Sequence, residues 1–184
     1  MKRDILISVV MPVFNGENTI EALINQLIDK LTNLCSFEII LINDCSVDSS
    51  EEKCTNLFYK YPKIIKFYSL AKNVGEHNSV MAGLNHAEGD YVLIMDDDFQ
   101  NPVSEVVKLI NYAEKNEYDV VYTFYDKKKH SFFRNLGSFF NDRVARILLN
   151  KPKNLYLSSF KILNKFIVKE IIKYNLPYPY IDGL

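Results

Sequence analysis

The stretch Tyr91–Gln100, YVLIMDDDFQ, joins an apolar run to three consecutive aspartates. Its first five residues have the length and composition of a buried β-strand, and the polar residues begin where that strand would end. Residues two apart in an extended chain point to the same side, so Asp96 and Asp98 are expected to face one ligand, with Gln100 next in the alternation and Asp97 directed elsewhere. Hard oxygen donors in a row suit Mg²⁺ or Mn²⁺, although three acids after a strand also occur as simple turn residues.

The same alternation of apolar strand and polar turn runs through the first 125 residues. Apolar residues between Ile20 and Leu31 recur at helical spacing, which predicts an amphipathic helix. Further strands are predicted at Ile5–Met11, Phe37–Ile42, Ile64–Leu70 and Val120–Phe124, and further helices at Ser49–Tyr59, His77–Ala87 and Val103–Glu114. Strands that alternate with helices indicate an α/β fold with a mostly parallel central sheet flanked by helices.

Polar clusters follow four of these strands. They are Phe14-Asn15-Gly16-Glu17, Asn43-Asp44, Asn73-Val74-Gly75-Glu76 and the acidic stretch from Asp96 to Gln100. Ligands of open parallel sheets bind outside the carboxyl ends of the strands, so the four clusters predict one shared site.

The last third of the chain differs in charge. Residues 126–184 hold 12 Lys and Arg against four acidic residues, whereas the remainder has a net charge of −9. A helix is predicted over residues 136–148, a strand over Leu155–Leu163 and a helix over Lys165–Tyr174. We interpret residues 1–184 as one domain, in which residues 1–125 bind the ligand of the acidic edge. A basic and aromatic second part is suited to anionic lipid or a phosphorylated ligand, and a solvated lysine-rich helix face is the simpler interpretation.

Composition excludes several classes of protein. With 48% hydrophobic residues, 12 Phe and 12 Tyr, the chain is a folded domain and not a disordered one. Its three cysteines show no CxxC spacing, which argues against a disulfide framework and a zinc site. No GxGxxG or GxxxxGK[ST] motif occurs, so neither a Rossmann dehydrogenase nor a P-loop enzyme is supported.

Three stretches, VVMPVFNGENTI, EIILINDCSVDSS and NVGEHNSVMAGLNHAEGDYVLIMDDDFQNP, resemble glycosyltransferase family 2, whose members have the GT-A fold and a DxD metal motif. Later stretches, including LYLSSFKILNKFIV and PYPYIDGL, are similar to the polyprenyl-phosphate branch of that family. That branch includes dolichol-phosphate mannose synthases and undecaprenyl-phosphate aminoarabinose-type transferases. The resemblance implies hydrophobic membrane helices after Leu184 in the natural protein.

The resemblance also implies roles for individual residues. Pro12, Phe14 and Glu17 would surround the donor nucleotide, of UDP or GDP type, and Asp44 would bind its base. Asp96, Asp98 and Gln100 would hold a Mg or Mn divalent cation on the diphosphate, and the two aspartates would be catalytic residues through that cation. The acceptor phosphate would contact Ser158 and Lys161, where Lys161 replaces the usual Arg and Ser159 the usual Gly of the branch. Independently of the resemblance, Arg134 is one of the basic residues after Tyr125 that are suited to hold the same anion.

These features lead to a functional hypothesis. An acceptor phosphate is already an anion at neutral pH and needs no general base, whereas an alcohol acceptor does. The expected activity is inverting transfer of a sugar from a nucleoside-diphosphate sugar to polyprenyl phosphate at the cytoplasmic membrane surface. No nucleic acid partner is expected, and a homo-oligomer is left open. The alternatives are a family 2 transferase with a hydroxyl acceptor, a phosphatase with an aspartate nucleophile, and a non-catalytic nucleotide-sugar-binding scaffold.

Overall fold

The computed structural model describes residues 4–124 and 158–183 of the chain. Strands lie at β1 (Leu6–Val13), β2 (Ser36–Asn43), β3 (Ile65–Ser69), β4 (Tyr91–Ile94), β5 (Val120–Tyr122) and β6 (Lys161–Asn164). Helices lie at α1 (Ile20–Leu31), α2 (Ser50–Lys60), α3 (Glu76–Asn85), α4 (Val103–Asn116) and α5 (Lys165–Ile171), and a 3₁₀ turn spans Ile181–Gly183. The predicted helix over residues 136–148 and Arg134 lie outside the described residues.

The six strands form one sheet in the order β3-β2-β1-β4-β6-β5. The pairs β1–β2, β2–β3 and β1–β4 are parallel, and β6 pairs antiparallel with both β4 and β5. The predicted α/β fold with a mostly parallel sheet is therefore confirmed. Because β1 lies between β2 and β4, the turns that follow these three strands meet at one edge of the sheet.

Hydrophobic residues pack on both faces of the sheet. Along β1, Val9 and Met11 face the cluster made with α1, α2 and α4, whereas Val10 faces the cluster made with α3 and α5. In α1, buried Leu23, Ile24 and Leu27 lie on one side of the helix, as their spacing predicts. Burial of central strands on both faces explains their nearly continuous apolar sequences. No helix within residues 4–124 and 158–183 has both the length and the apolar character needed to cross a bilayer.

The strand predicted over Leu155–Leu163 is confirmed at residues 161–163 and is wrong at residues 158–160. The chain enters the sheet only at Lys161, and residues 158–160 precede the strand. The Ser158 Oγ accepts a hydrogen bond from the Phe160 backbone N–H at 3.2 Å. This local side-chain bond takes a backbone donor that a strand ladder would otherwise use, so the strand begins later.

Candidate active site

Hydrogen bonds connect the four polar clusters to one another. The Asn15 N–H donates to Ser46 Oγ at 3.0 Å, and the Val47 N–H donates back to the Asn15 side chain at 3.0 Å, which joins the turn after β1 to the turn after β2. The turn after β1 also reaches the acidic stretch, because the Phe14 N–H donates to Asp97 Oδ2 at 3.3 Å. The predicted meeting of these clusters at one edge of the sheet is thus observed.

Asp44 joins the second cluster to the third. Its carboxylate is 3% exposed and accepts the Val74 N–H at 2.7 Å and the Gly75 N–H at 2.9 Å, one on each oxygen. Gly75 has a φ of +85°, which glycine adopts at little cost, and it directly precedes α3. The Asp44 side chain therefore sets the start of α3 while it also lines the site.

A cavity of about 520 Å³ opens at this edge of the sheet. Its lining residues come from all four clusters: Pro12, Phe14, Asp44, Asn73, Gly75, Glu76, Asp96, Asp97 and Asp98. We call it the main cavity. Five of these residues are acids and, within the described part of the chain, none is Lys or Arg. Such a surface attracts a cation and repels an unaccompanied diphosphate.

Three of the lining carboxylates have a raised pKa. Burial raises the pKa of Asp97 to about 6, and the neighbouring charges of Asp98 and Asp96 add to the effect. Burial also raises the pKa of Asp96, against the opposing hydrogen bond from Ser159. For Glu76, burial and then the charge of Asp96 raise the pKa. Crowded carboxylates of this kind gain most from a bound positive charge.

These carboxylates suit a divalent cation. Mg²⁺ is usually held by one or two carboxylates, with substrate phosphates and waters filling its other positions. Asp96 and Asp98 meet that need, although no group of three or more His, Cys, Asp or Glu within the described residues forms a complete protein metal site. A cation held here would therefore depend on the ligand for part of its coordination.

Not every predicted residue reaches the main cavity. The Glu17 carboxylate accepts the Ser49 N–H at 3.0 Å beside the start of α2 and is not among the lining residues. Gln100 is exposed, and its N–H donates to Asp98 Oδ1 at 3.0 Å. The alternation that would align Gln100 with the aspartates is interrupted at Phe99, where φ is +60°. The roles assigned to Glu17 and Gln100 stay predictions.

A smaller cavity of about 50 Å³ adjoins the main one and shares Glu76 with it. Its lining residues are Glu76, His77, Val80, Ile94, Ser159, Lys161, Ile181 and Asp182. Lys161 lies here and is paired with Asp182, to which the Tyr122 hydroxyl also donates at 3.2 Å. Its predicted contact with an acceptor phosphate stays a prediction, as does that of Ser158, which is buried beside Phe160.

Sequence reasoning missed several members of the two cavities. Asp97 was expected to point elsewhere; it does turn to the Phe14 amide, yet it also lines the main cavity. His77 has no role assigned from the sequence, and it lies against Tyr180 at a ring-centroid distance of 5.2 Å in the wall of the smaller cavity. Asp182 carried no local signal, because its contact with Lys161 depends on how the end of the chain folds back.

Comparison with known proteins agrees with this geometry. Residues 8–172 match the domain described as Glycosyl transferase family 2. The undecaprenyl-phosphate 4-deoxy-4-formamido-L-arabinose transferase of Pectobacterium atrosepticum is 33% identical over 168 residues, which cover 91% of this chain and 51% of that protein. The protein of the same name from Pectobacterium carotovorum is 38% identical over 167 residues, with 90% and 51% covered. The chain thus spans about half the length of these relatives.

The fold has solved counterparts. Glucosyl-3-phosphoglycerate synthase from Mycobacterium tuberculosis, in complex with Mn²⁺, uridine-diphosphate-glucose and phosphoglyceric acid, superposes with a TM-score of 0.69 at 20% identity. The superposition covers 89% of this chain and 57% of that one. Together with the sheet order and the acidic edge after β4, the matched domain shows that the chain belongs to glycosyl transferase family 2.

Proposed function

We propose that the chain is the catalytic part of an inverting glycosyltransferase that moves a sugar from a nucleoside-diphosphate sugar to a polyprenyl phosphate of undecaprenyl type. The observation that carries the proposal is the main cavity, where turns from four strands bring together Asp44, Asp96, Asp97 and Asp98. Relatives with 33% and 38% identity that are named undecaprenyl-phosphate sugar transferases support the choice of acceptor.

The donor would lie across the main cavity. Pro12 and Phe14 form its apolar side, and Phe14 is 50% exposed, which leaves its ring available to a nucleotide. Asp96 and Asp98 would hold Mg²⁺ or Mn²⁺ on the diphosphate. When bound, such a cation neutralises the charge that develops on the leaving diphosphate. Without it, the acids of the cavity would repel the donor.

The acceptor would approach the sugar from the side opposite the diphosphate. A phosphate monoester needs no deprotonation at neutral pH, so the site needs no base for this acceptor. In this proposal the excess of Lys and Arg over Asp and Glu between residues 126 and 184 attracts the chain to anionic headgroups on the cytoplasmic side of the membrane. This places the chain at the surface that holds its lipid substrate.

Donor binding tests the first half of the proposal. UDP and GDP are titrated calorimetrically into the full chain with Mn²⁺ and then with EDTA. We expect one nucleotide to bind, and only with the cation. Asp98→Asn, which keeps the shape and removes the charge, should abolish the cation-dependent binding, whereas Asp29→Asn at a 79% exposed side chain should not alter it. Equal affinity in Mn²⁺ and EDTA would contradict the proposal.

A hydroxyl acceptor is the second candidate function, and Glu76 is the observation in its favour. Glu76 lies where the two cavities meet, and burial raises the pKa of its carboxyl towards the range of a general base. Transfer is measured to a short-chain polyprenyl phosphate and to the matching polyprenol. A phosphate acceptor predicts activity that survives Glu76→Gln within about tenfold; a hydroxyl acceptor predicts a loss of about 10²-fold or more.

A further inference from the structure

Ser159 contacts Asp96 directly. Its Oγ donates a hydrogen bond to Asp96 Oδ2 at 2.6 Å, between residues 63 positions apart in sequence. Ser159 lines the smaller cavity, whereas Asp96 lines the main one. The hydroxyl therefore reaches the carboxylate from the side of the smaller cavity, and it engages only one of the two carboxylate oxygens.

The backbone around Ser159 is held on both sides. The Thr123 hydroxyl donates to the Phe160 carbonyl at 2.7 Å, and the Phe160 N–H donates to Ser158 Oγ at 3.2 Å. One residue later, the buried Lys161 begins β6 and pairs with Asp182. These contacts fix the neighbours of Ser159 and so help to hold its hydroxyl towards Asp96.

A hydrogen bond of this kind orients a carboxylate that binds a metal. Carboxylate ligands are usually hydrogen-bonded by a second group, and loss of such a group commonly weakens metal binding by about 10- to 100-fold. Glycine, which the polyprenyl-phosphate pattern has at this position, offers no donor. Ser159 thus supplies a contact that the resemblance does not account for.

We propose that Ser159 is a positioning residue for Asp96: its hydroxyl holds the carboxylate in the orientation that receives the divalent cation. The inference rests on the proposed function, because it requires that a cation binds at Asp96. A purely structural role, in which the bond only ties residues 158–161 to the turn after β4, predicts a loss of stability without a change in cation affinity.

The test measures Mn²⁺ affinity and stability separately. Free Mn²⁺ is followed by electron paramagnetic resonance in the presence of the bound nucleoside diphosphate, and unfolding is followed by circular dichroism. We compare Ser159→Ala, Ser159→Gly and Ser159→Thr, with Ser104→Ala at an exposed position of α4 as the control. We expect Ala and Gly to weaken Mn²⁺ binding about tenfold, Thr to retain most of the affinity, and the control to match the unchanged protein.

The outcomes separate the two proposals. If the unchanged protein binds no Mn²⁺, the proposed function fails and this inference fails with it. If the unchanged protein binds Mn²⁺ and Ser159→Ala binds it equally well, the inference alone is overturned. A Ser159→Ala variant with a lower Tm and unchanged Mn²⁺ affinity also overturns it, since that result assigns the hydrogen bond a structural role only.

Discussion

The buried ion pair between Lys161 and Asp182 gives the sharpest stability prediction. The two side chains are 4% and 10% exposed, and the Tyr122 hydroxyl donates a further hydrogen bond to the same carboxylate. Burial, followed by the charge of Asp182, raises the pKa of Tyr122, so its phenol stays protonated as a donor. Asp182→Asn keeps the shape of the side chain and removes the charge paired with the buried ammonium of Lys161, which then keeps only its electrostatic attraction to Glu76 and Asp96.

The expected loss is large because of this burial. Breaking a buried ion pair by removing one partner costs about 3–5 kcal/mol, chiefly the penalty of the charge left behind. A domain is typically stable by about 5–15 kcal/mol, so the change removes about a fifth of the total or more. For a chain of this length each kcal/mol corresponds to about 2–4 °C, which predicts a Tm lower by roughly 6–20 °C.

The assay is thermal and urea unfolding followed by circular dichroism. The control is Glu170→Gln, which breaks the exposed Lys173–Glu170 pair, with side chains 68% and 49% exposed, and should cost under about 0.5 kcal/mol. Combining Asp182→Asn with Lys161→Met removes both charges and should recover much of the loss. If Asp182→Asn is as mild as the control, or the double variant is no better than the single one, the buried charge is not what stabilises this turn.

Three further results are expected. Gly16→Ala should weaken nucleotide binding, as measured by calorimetry, without unfolding the protein. The new Cβ would overlap the Asp97 carboxylate, whose Cγ lies only 3.0 Å away, and would displace that carboxylate from the Phe14 N–H. The raised pKa of Asp97, about 6, means that its carboxyl favours the folded state below about pH 4 and loses that advantage as pH rises through 6. Asp97→Asn should therefore raise stability above pH 6 by about 1–2 kcal/mol, allowing for partial solvent screening, and change it little at pH 4, as urea unfolding of the metal-free protein would show. Burial alone would raise the pKa of Glu38, but hydrogen bonds to its carboxylate, first that from Lys66, lower the pKa overall. The ionised Glu38 carboxylate therefore stabilises the fold fully above pH 4.5, and this contribution disappears as pH falls through the lowered pKa. Glu38→Gln should flatten the acid side of the profile of unfolding free energy against pH.

The strands and helices were predictable from sequence because burial of the sheet on both faces requires a simple pattern of apolar residues. A strand such as β2 must be apolar at every position from Ile39 to Ile42, and a helix such as α1 must repeat its apolar residues at helical spacing. The strand near Ser158 was misjudged because its start depends on one side-chain bond to the backbone. Apolar composition does not contain that information.

The sequence predicted where in the fold the site lies, but not which side chains contact one another there. The position of Asp44 and the three aspartates after their strands followed from the rule for parallel sheets. The partners of Glu17, Asp97 and Asp182 did not, because each contacts a group at least 21 residues away that has no spacing relation to it. Such contacts follow from the packed fold and not from local pattern.

The acids of the main cavity divide into two groups by what they contact. Asp44 and Asp97 accept backbone N–H groups of neighbouring turns, so their charge is used to shape the cavity before a ligand arrives. Asp96 instead accepts the Ser159 hydroxyl, and Asp98 is exposed and, among the described contacts, bonds only to the amide two residues later. Asp44 and Asp97 hold the turns of this edge together, and Asp96 and Asp98 lie on one of those turns. A cation that binds to Asp96 and Asp98 would therefore lose little binding free energy to ordering the turns.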